Sequence, residues 1–146
     1  MHDADLDALR DSRADRYRTT VAVRYADLDT NGHVNHAAYL AYLEEARLGF
    51  RASMADLTGD PDDLSWPIAE VTVRYVRSLM YPQDVTVEVA PLRVGRTSFT
   101  LGYGLFAGAG CAAVALTRSV CVSRGRGGPV PLPAGLADRL RALLPA

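Results

Sequence analysis

The densest chemistry in the sequence lies between Asp27 and His36, where two carboxylates, two carboxamides (Asn31 and Asn35) and two histidines (His33 and His36) share ten residues. Carboxylates and imidazoles move protons and attack electrophilic carbon, and carboxamides hold such groups in place. The segment falls where one pattern gives way to another. Before it, Tyr17 to Ala26 is rich in Thr, Val and Tyr and reads as a strand. After it, from the capping residue Asn35 to about Met54, apolar residues recur with the 3.6 period of a helix. The first N–H groups of a helix lack partners and carry partial positive charge. A junction of this kind can polarise a carbonyl oxygen while a carboxylate or imidazole handles water. The plainer reading is a decorated helix cap, with Asn35 capping and Asp29 favouring the positive end.

Two metal readings compete for the same residues. Asp27-x-Asp29-x-Asn31-Gly32-x-Val34 follows the opening of a calcium-binding loop, but its twelfth position, which should be a bidentate carboxylate, is Ala38. For zinc, His33 and His36 can share a face, yet spacing sets no third ligand. The sequence also lacks a G-x-S-x-G elbow, a P-loop and a dinucleotide-binding glycine pattern. The expectation is a site without a metal or a resident cofactor.

The elements around the segment set the architecture. Tyr39, Leu43, Ala46, Phe50 and Met54 form one continuous stripe that needs a large apolar partner. Thr58 to Pro67 reads as a loop. Ile68–Val76, Asp84–Val94, Thr97–Phe106 and Cys111–Ser123 read as strands joined by short turns, with Pro91 marking a bulge or an edge. A short helix, Ala134–Leu144, follows. Strands grouped apart from one long helix predict an α+β fold, an antiparallel five-stranded sheet wrapped around a central helix. Its outer face and edge strands would stay open, which favours an oligomer. Residues 1–16, with five aspartates, read as a flexible, frayed or weakly helical arm ahead of a single domain, 17–146.

Totals bound what such a domain does. The chain has 146 residues, 49% hydrophobic and 23% charged, with a net charge of -1. No global field of that size recruits nucleic acid or an anionic membrane. No apolar run approaches the ~20 residues of a membrane span, and the acidic start is unlike a signal peptide, so the expected address is the cytoplasm. Every residue in the Lys+Arg count is arginine. A phosphate on a ligand would therefore fall to Arg or backbone N–H groups, with Arg77, Arg96 and Arg118 the candidates. Cys111 and Cys121 read as small core residues.

Asp27-Leu28-Asp29-Thr30-Asn31-Gly32-His33-Val34-Asn35-His36-Ala37-Ala38-Tyr39, followed by Tyr42-Leu43-Glu44-Glu45-Ala46-Arg47, resembles the signature of the 4-hydroxybenzoyl-CoA thioesterase family. Its pattern is D-x-D-x-x-G-x-V, then an aromatic residue and Glu-x-x-Arg. Arg74-Tyr75, Asp84 and Gly95-Arg96-Thr97-Ser98-Phe99 follow in family order, so the likeness spans about residues 17–137. The resemblance implies a hotdog fold and hydrolysis of an acyl thioester carried by coenzyme A or an acyl carrier protein. It makes Asp29 the catalytic carboxylate, as nucleophile or as base toward water, beside a helix N-terminus that binds the thioester oxygen. His36 matches a histidine of the Tol-Pal-associated thioesterases. Asp29, Asn31 and His33 match catalytic positions of the plant acyl-ACP enzymes, whose further acid has no secure match here.

The expected site is thus Asp29, Asn31, His33 and His36 for catalysis and Asn35, Tyr39, Arg77 and Arg96 for binding, in a homodimer or homotetramer. Tyr39 is either a wall of the acyl pocket or simply core, and Glu44 either a second acid or part of a solvated face. Two rivals remain. A hotdog hydratase or dehydratase would use a D-x-N-P-x-H context, against which Gly32 and Val34 stand here. The other rival is a non-catalytic acyl-binding protein.

Overall fold

In the computed structural model the chain runs α1 (His2–Ala8), β1 (Tyr17–Ala22), α2 (Ala38–Ala52), β2 (Leu64–Ser65), β3 (Ile68–Tyr75), β4 (Asp84–Val94), β5 (Ser98–Ala107), β6 (Gly110–Val120), β7 (Val122–Ser123), β8 (Gly128–Pro129) and α3 (Ala134–Ala142). Residues 2–108 and 110–145 are described; Ala109, in the turn expected at residues 108–110, lies outside them. Five strands form one antiparallel sheet in the order β1-β4-β5-β6-β3, and α2 lies across one face, the hotdog arrangement. Among the described residues no helix is long and apolar enough to cross a membrane.

The stripe on α2 explains this layering. Tyr39, Leu43, Ala46, Phe50 and Met54 are all buried, against Val85, Val87 and Val89 of β4 and Leu101, Tyr103 and Leu105 of β5. Each large apolar side chain removed from water in this way contributes roughly 1.5–3 kcal/mol. Alternation along β6 separates the two faces of the sheet: Ala113 and Ala115 face the α2 core, whereas Val114 and Leu116 belong to a second cluster behind it. Pro91 lacks an N–H for the ladder, and the β4–β5 register shifts between Pro91 and Arg93, as a bulge requires.

The expectation for the first sixteen residues needs correction. They include an ordered helix that covers part of the face expected to stay open. Leu6 and Leu9 of the α1 segment are 1% and 2% exposed, packed on Val114 and Leu116 with Leu92 and Cys111 beside them. Gly102 and Gly104 make room for them. A Cβ at Gly102 would lie 2.9 Å from a Leu9 methyl, and one at Gly104 would lie 2.6 Å from the Leu9 carbonyl. The aspartates that suggested a solvated arm pair with the sheet, Asp3 and Asp7 with Arg74 and Asp5 with Arg93. Behind α1, the buried Glu88 carboxylate accepts from the Ser12 hydroxyl, the Arg13 N–H and the Arg16 guanidinium, with Arg18 at 3.4 Å. A buried carboxylate is tolerable only when its oxygens are satisfied in this way.

Smaller departures also have local causes. The helix expected from Asn35 begins at Ala38, because Asn35 turns the chain first: its side chain accepts from the Ala37 N–H and its carbonyl from the Ala38 N–H. The strand expected to reach Ala26 ends at Ala22 and gives way to a single 3-10 turn, Tyr25–Asp27. The loop expected over Thr58–Pro67 contains β2, which pairs with β7, itself paired with β8, in a small second sheet.

Candidate functional site

Asp29 sits at the tip of a tight hairpin that leaves the sheet just before α2. Leu28 and Val34 bridge its base, the Asp29 N–H donates to the His33 carbonyl at 2.8 Å, and the Gly32 N–H donates to the Asp29 carbonyl at 3.1 Å. Gly32 has a φ of 78°. Side chains disfavour that conformation, so glycine permits the turn. Asp29 Oδ1 accepts from the N–H groups of Asn31 (2.9 Å) and His33 (3.3 Å). This is the local ring that aspartate forms in turns. Among the described residues, Oδ2 has no hydrogen bond.

The hairpin is fastened at both ends. The Asn35 N–H donates to the Asp27 carbonyl (2.8 Å) and the Val34 N–H to the Leu79 carbonyl (2.9 Å). Asp27 is 4% exposed, and its carboxylate accepts from the Tyr42 hydroxyl (2.7 Å), the Arg24 N–H (2.9 Å) and the Arg24 guanidinium (2.9 Å). Burial acts to raise its pKa. The Arg24 side chain and backbone N–H and the Tyr42 hydroxyl outweigh that, and the net shift is downward. On the other side of the pair, burial first and Asp27 second push the Tyr42 hydroxyl above its ordinary range.

Tyrosines line the next turn. The Tyr75 hydroxyl of β3 donates to the His36 carbonyl at 2.9 Å, and the Tyr75 ring meets Tyr39 edge-on at 4.9 Å and His36 edge-on at 6.3 Å. Burial raises the pKa of both Tyr39 and Tyr75, so each remains a neutral hydroxyl near pH 7. The His36 N–H, one residue ahead of the Asn35-bonded amides, has no acceptor among the described residues. A half-exposed carboxylate, two exposed histidines and an amide without an acceptor among the described residues thus lie on the hairpin and turn that lead into α2.

Of the residues singled out in the sequence, Asp29, Asn31, His33, Asn35 and His36 share this hairpin and turn, and Tyr39 opens the helix below it, 3% exposed and packed as core. The arginines do not join them as a set. Arg77 turns onto the β5–β6 connection and donates to the carbonyls of Ala107 (2.6 Å) and Gly110 (2.9 Å). Arg96 lies on the β4–β5 turn, and Asp84 is at the hairpin end of β4. At about 3.3 Å per residue, the two ends of that strand stand roughly 35 Å apart. Arg118 is on the outer face, beside Glu70 at 3.8 Å. The geometry gives a place to three residues that the sequence reading named without a role. Asp27 and Tyr42 frame the hairpin, and Tyr75 touches His36 and Tyr39; Tyr42, three residues after Tyr39, carried a signal in its helical spacing.

Among the described residues, no group of three or more His, Cys, Asp or Glu is placed to hold a metal ion. A cavity of about 710 Å³ opens at the far end of α2, lined by Tyr17, Phe50, Met54 and Leu143 among others, and Asp29 is not part of it.

Comparison with known proteins agrees with this fold. A thioesterase from Thermus thermophilus, crystallised with coenzyme A and zinc, is 33% identical, with a TM-score of 0.75 over 86% of this chain and 92% of that one. The DHNA-CoA thioesterase of Staphylococcus aureus is 25% identical, with a TM-score of 0.70 over 86% of each chain. The protein YsmA of Bacillus subtilis strain 168 is 26% identical over 83 residues, a match spanning 57% of this chain and 56% of YsmA. The family model described as the thioesterase-like superfamily matches residues 23–140, from just before the Asp27 turn to the last helix, and the chain belongs to that superfamily.

Proposed function

We propose that the protein hydrolyses an acyl thioester to a free acid and a thiol, with Asp29 as the reacting carboxylate. The carrying observation is the free Oδ2 of Asp29: the hairpin's own amides hold Oδ1 and orient the group without consuming it. Membership of the superfamily supports the reaction class, and the coenzyme A named with two of the similar structures supports a thioester carried by coenzyme A. An acyl carrier protein is the alternative carrier.

In this reading Asp29 takes a proton from a water that attacks the thioester carbonyl, or attacks the carbonyl itself to form a mixed anhydride that water then cleaves to the free acid. The developing negative oxygen is received by the His36 N–H, two residues ahead of α2. His33 or His36 protonates the departing thiolate, and Asn31, which closes the aspartate ring, keeps Asp29 in register. A cytoplasmic homodimer or homotetramer completes the reading. Edge strand β3 carries the exposed Val71 and Tyr75, with Val76 beyond its end. A second copy pairing there would add a wall next to Tyr75 and His36.

Thiol release from a panel of acyl-CoA substrates tests the proposal, with Asp29→Asn and Asp29→Ala alongside. Full activity in both variants would remove Asp29 from the chemistry. Water addition to an α,β-unsaturated acyl-CoA without thiol release would place the chain with the hydratases instead.

A further inference from the structure

Two rigid peptide planes flank the Cα of His36, and each carries one carbonyl and one N–H. Three of these four polar groups are taken. The Asn35 carbonyl accepts from the Ala38 N–H (2.9 Å), the Ala37 N–H donates to the Asn35 side chain (2.9 Å), and the His36 carbonyl accepts from the Tyr75 hydroxyl (2.9 Å). The fourth, the His36 N–H, has no acceptor among the described residues. Two of the three bonds close within the turn itself. The third comes from Tyr75, the last residue of β3 and 39 positions away.

Stability alone gives that third bond little to do. Tyr75 is 46% exposed, and water satisfies an exposed hydroxyl about as well as a carbonyl does. Its ring is nevertheless firmly seated: the backbone pairs with Ala113 of β6, and the ring meets that of Tyr39, a core residue, edge-on. A hydroxyl carried on such a ring ties the peptide after His36 to the sheet. The peptide before His36 is tied to the first turn of α2 through the Asn35 carbonyl, and a peptide whose carbonyl accepts is a stronger N–H donor. With both planes held, the His36 N–H has a fixed direction and is not consumed within the protein. A donor prepared in this way needs no reorganisation when negative charge develops beside it.

We infer that Tyr75 is a positioning residue for the site at Asp29: through the His36 carbonyl, its hydroxyl holds the turn that presents the His36 N–H to the developing negative oxygen. Tyr75 acts through the peptide and does not itself touch the reacting atoms. What the N–H receives follows from the Asp29 reading; that Tyr75 holds it follows from the three bonds alone.

Tyr75→Phe keeps the ring and removes only the hydroxyl. With the best substrate of the acyl-CoA panel, kcat for thiol release should fall about tenfold while KM stays within about twofold, the split expected when a hydrogen bond serves the transition state and not ground-state binding. Nitrogen-15 relaxation of the substrate-free protein reads the hold directly. The His36 and Ala37 N–H groups should have order parameters near the rigid value of about 0.85, falling toward about 0.6 in Tyr75→Phe. Asn35→Ala, which frees the same peptide from its other side, should give the same split and the same loosening, and serves if Tyr75→Phe fails to fold. An unchanged kcat, a loss carried by KM, or unmoved order parameters in Tyr75→Phe would overturn the inference. So would loss of the oligomer with the order parameters intact, since Tyr75 would then serve contact between copies. If the unaltered protein hydrolyses no thioester, the Asp29 reading fails by itself, and the order parameters decide whether Tyr75 holds the turn.

Discussion

Asp27 and Asp29 belong to one short motif and lie in opposite environments. The first is buried, with partners drawn from the turn before it and from the helix after it: Arg24, Tyr42 and, through its carbonyl, Asn35. The second is half-exposed, and among the described residues its carboxylate accepts hydrogen bonds only from amides of its own hairpin. A carboxylate that also accepts from Tyr42, 15 positions on, ties its turn to the helix and has little left for a substrate. One held only by its own loop is oriented and still available. Spacing alone assigns both residues to the motif; partner origin separates the frame from the proposed reacting group.

Substitutions can break this contrast. Asp29→Asn should lower kcat for thiol release by about 10²–10⁴-fold, the usual contribution of a positioned acid or base, while thermal unfolding stays near that of the unaltered protein. A large loss of stability instead would make Asp29 a second frame residue. Asp27→Ala should do the reverse. Chemical denaturation should show a loss of about 1–3 kcal/mol or more, because the buried Tyr42 hydroxyl loses its acceptor, and activity should fall only as the hairpin loosens. Tyr42→Phe removes one of the donors to Asp27 and should cost about 1–2 kcal/mol by the same measurement. Arg24→Ala should be the mildest, a change near the limit of detection in the same measurement, since solvent already screens the pair. The Arg24 side chain is 73% exposed.

Acid sharpens the same contrast. The folded-state pKa of Asp27 lies below its ordinary value of 3.8. Its stabilising contribution is therefore complete above that value and is lost as pH falls through the lower folded-state value. Unfolding followed from pH 6 to pH 2 should show this loss, and Asp27→Asn should flatten that part of the profile. An unaltered profile in the variant would show that the Arg24 and Tyr42 contacts do not hold the group ionised.

Local rules made the central architecture readable before any coordinates. The α2 stripe is a period-3.6 pattern, the strands alternate, and Pro91 cannot serve a ladder, so helix, sheet and bulge follow from neighbours in the chain. What escaped reading depends on distant partners. Asp3, Asp5 and Asp7 look solvated until Arg74 and Arg93 arrive beside them. Gly102 and Gly104 look like weak spots in a strand until Leu9 fills the space they leave. Arg77 and Arg96 read as equivalent phosphate contacts, and only the length of β4 puts them at opposite ends of the sheet. The candidate site was legible as a segment because its residues are contiguous. Its frame was not, because Tyr42 lies 15 positions from Asp27 and Tyr75 lies 39 from His36.

The docking of α1 also has a bearing on the order of assembly. Asp5 meets Arg93 across 88 positions, Asp3 meets Arg74 across 71, and the apolar seat under Leu6 and Leu9 is completed by Val114 and Leu116 of β6. Synthesis proceeds from the N-terminus at roughly 5–20 residues per second, so this segment leaves the ribosome several seconds before its seat exists. During that interval Leu6 and Leu9 are unprotected apolar groups, and the neighbouring aspartates keep the waiting peptide hydrated and repel its copies on adjacent nascent chains. The charges that later pair with Arg74 and Arg93 thus have an earlier use, as a solubilising tag on residues made before their seat.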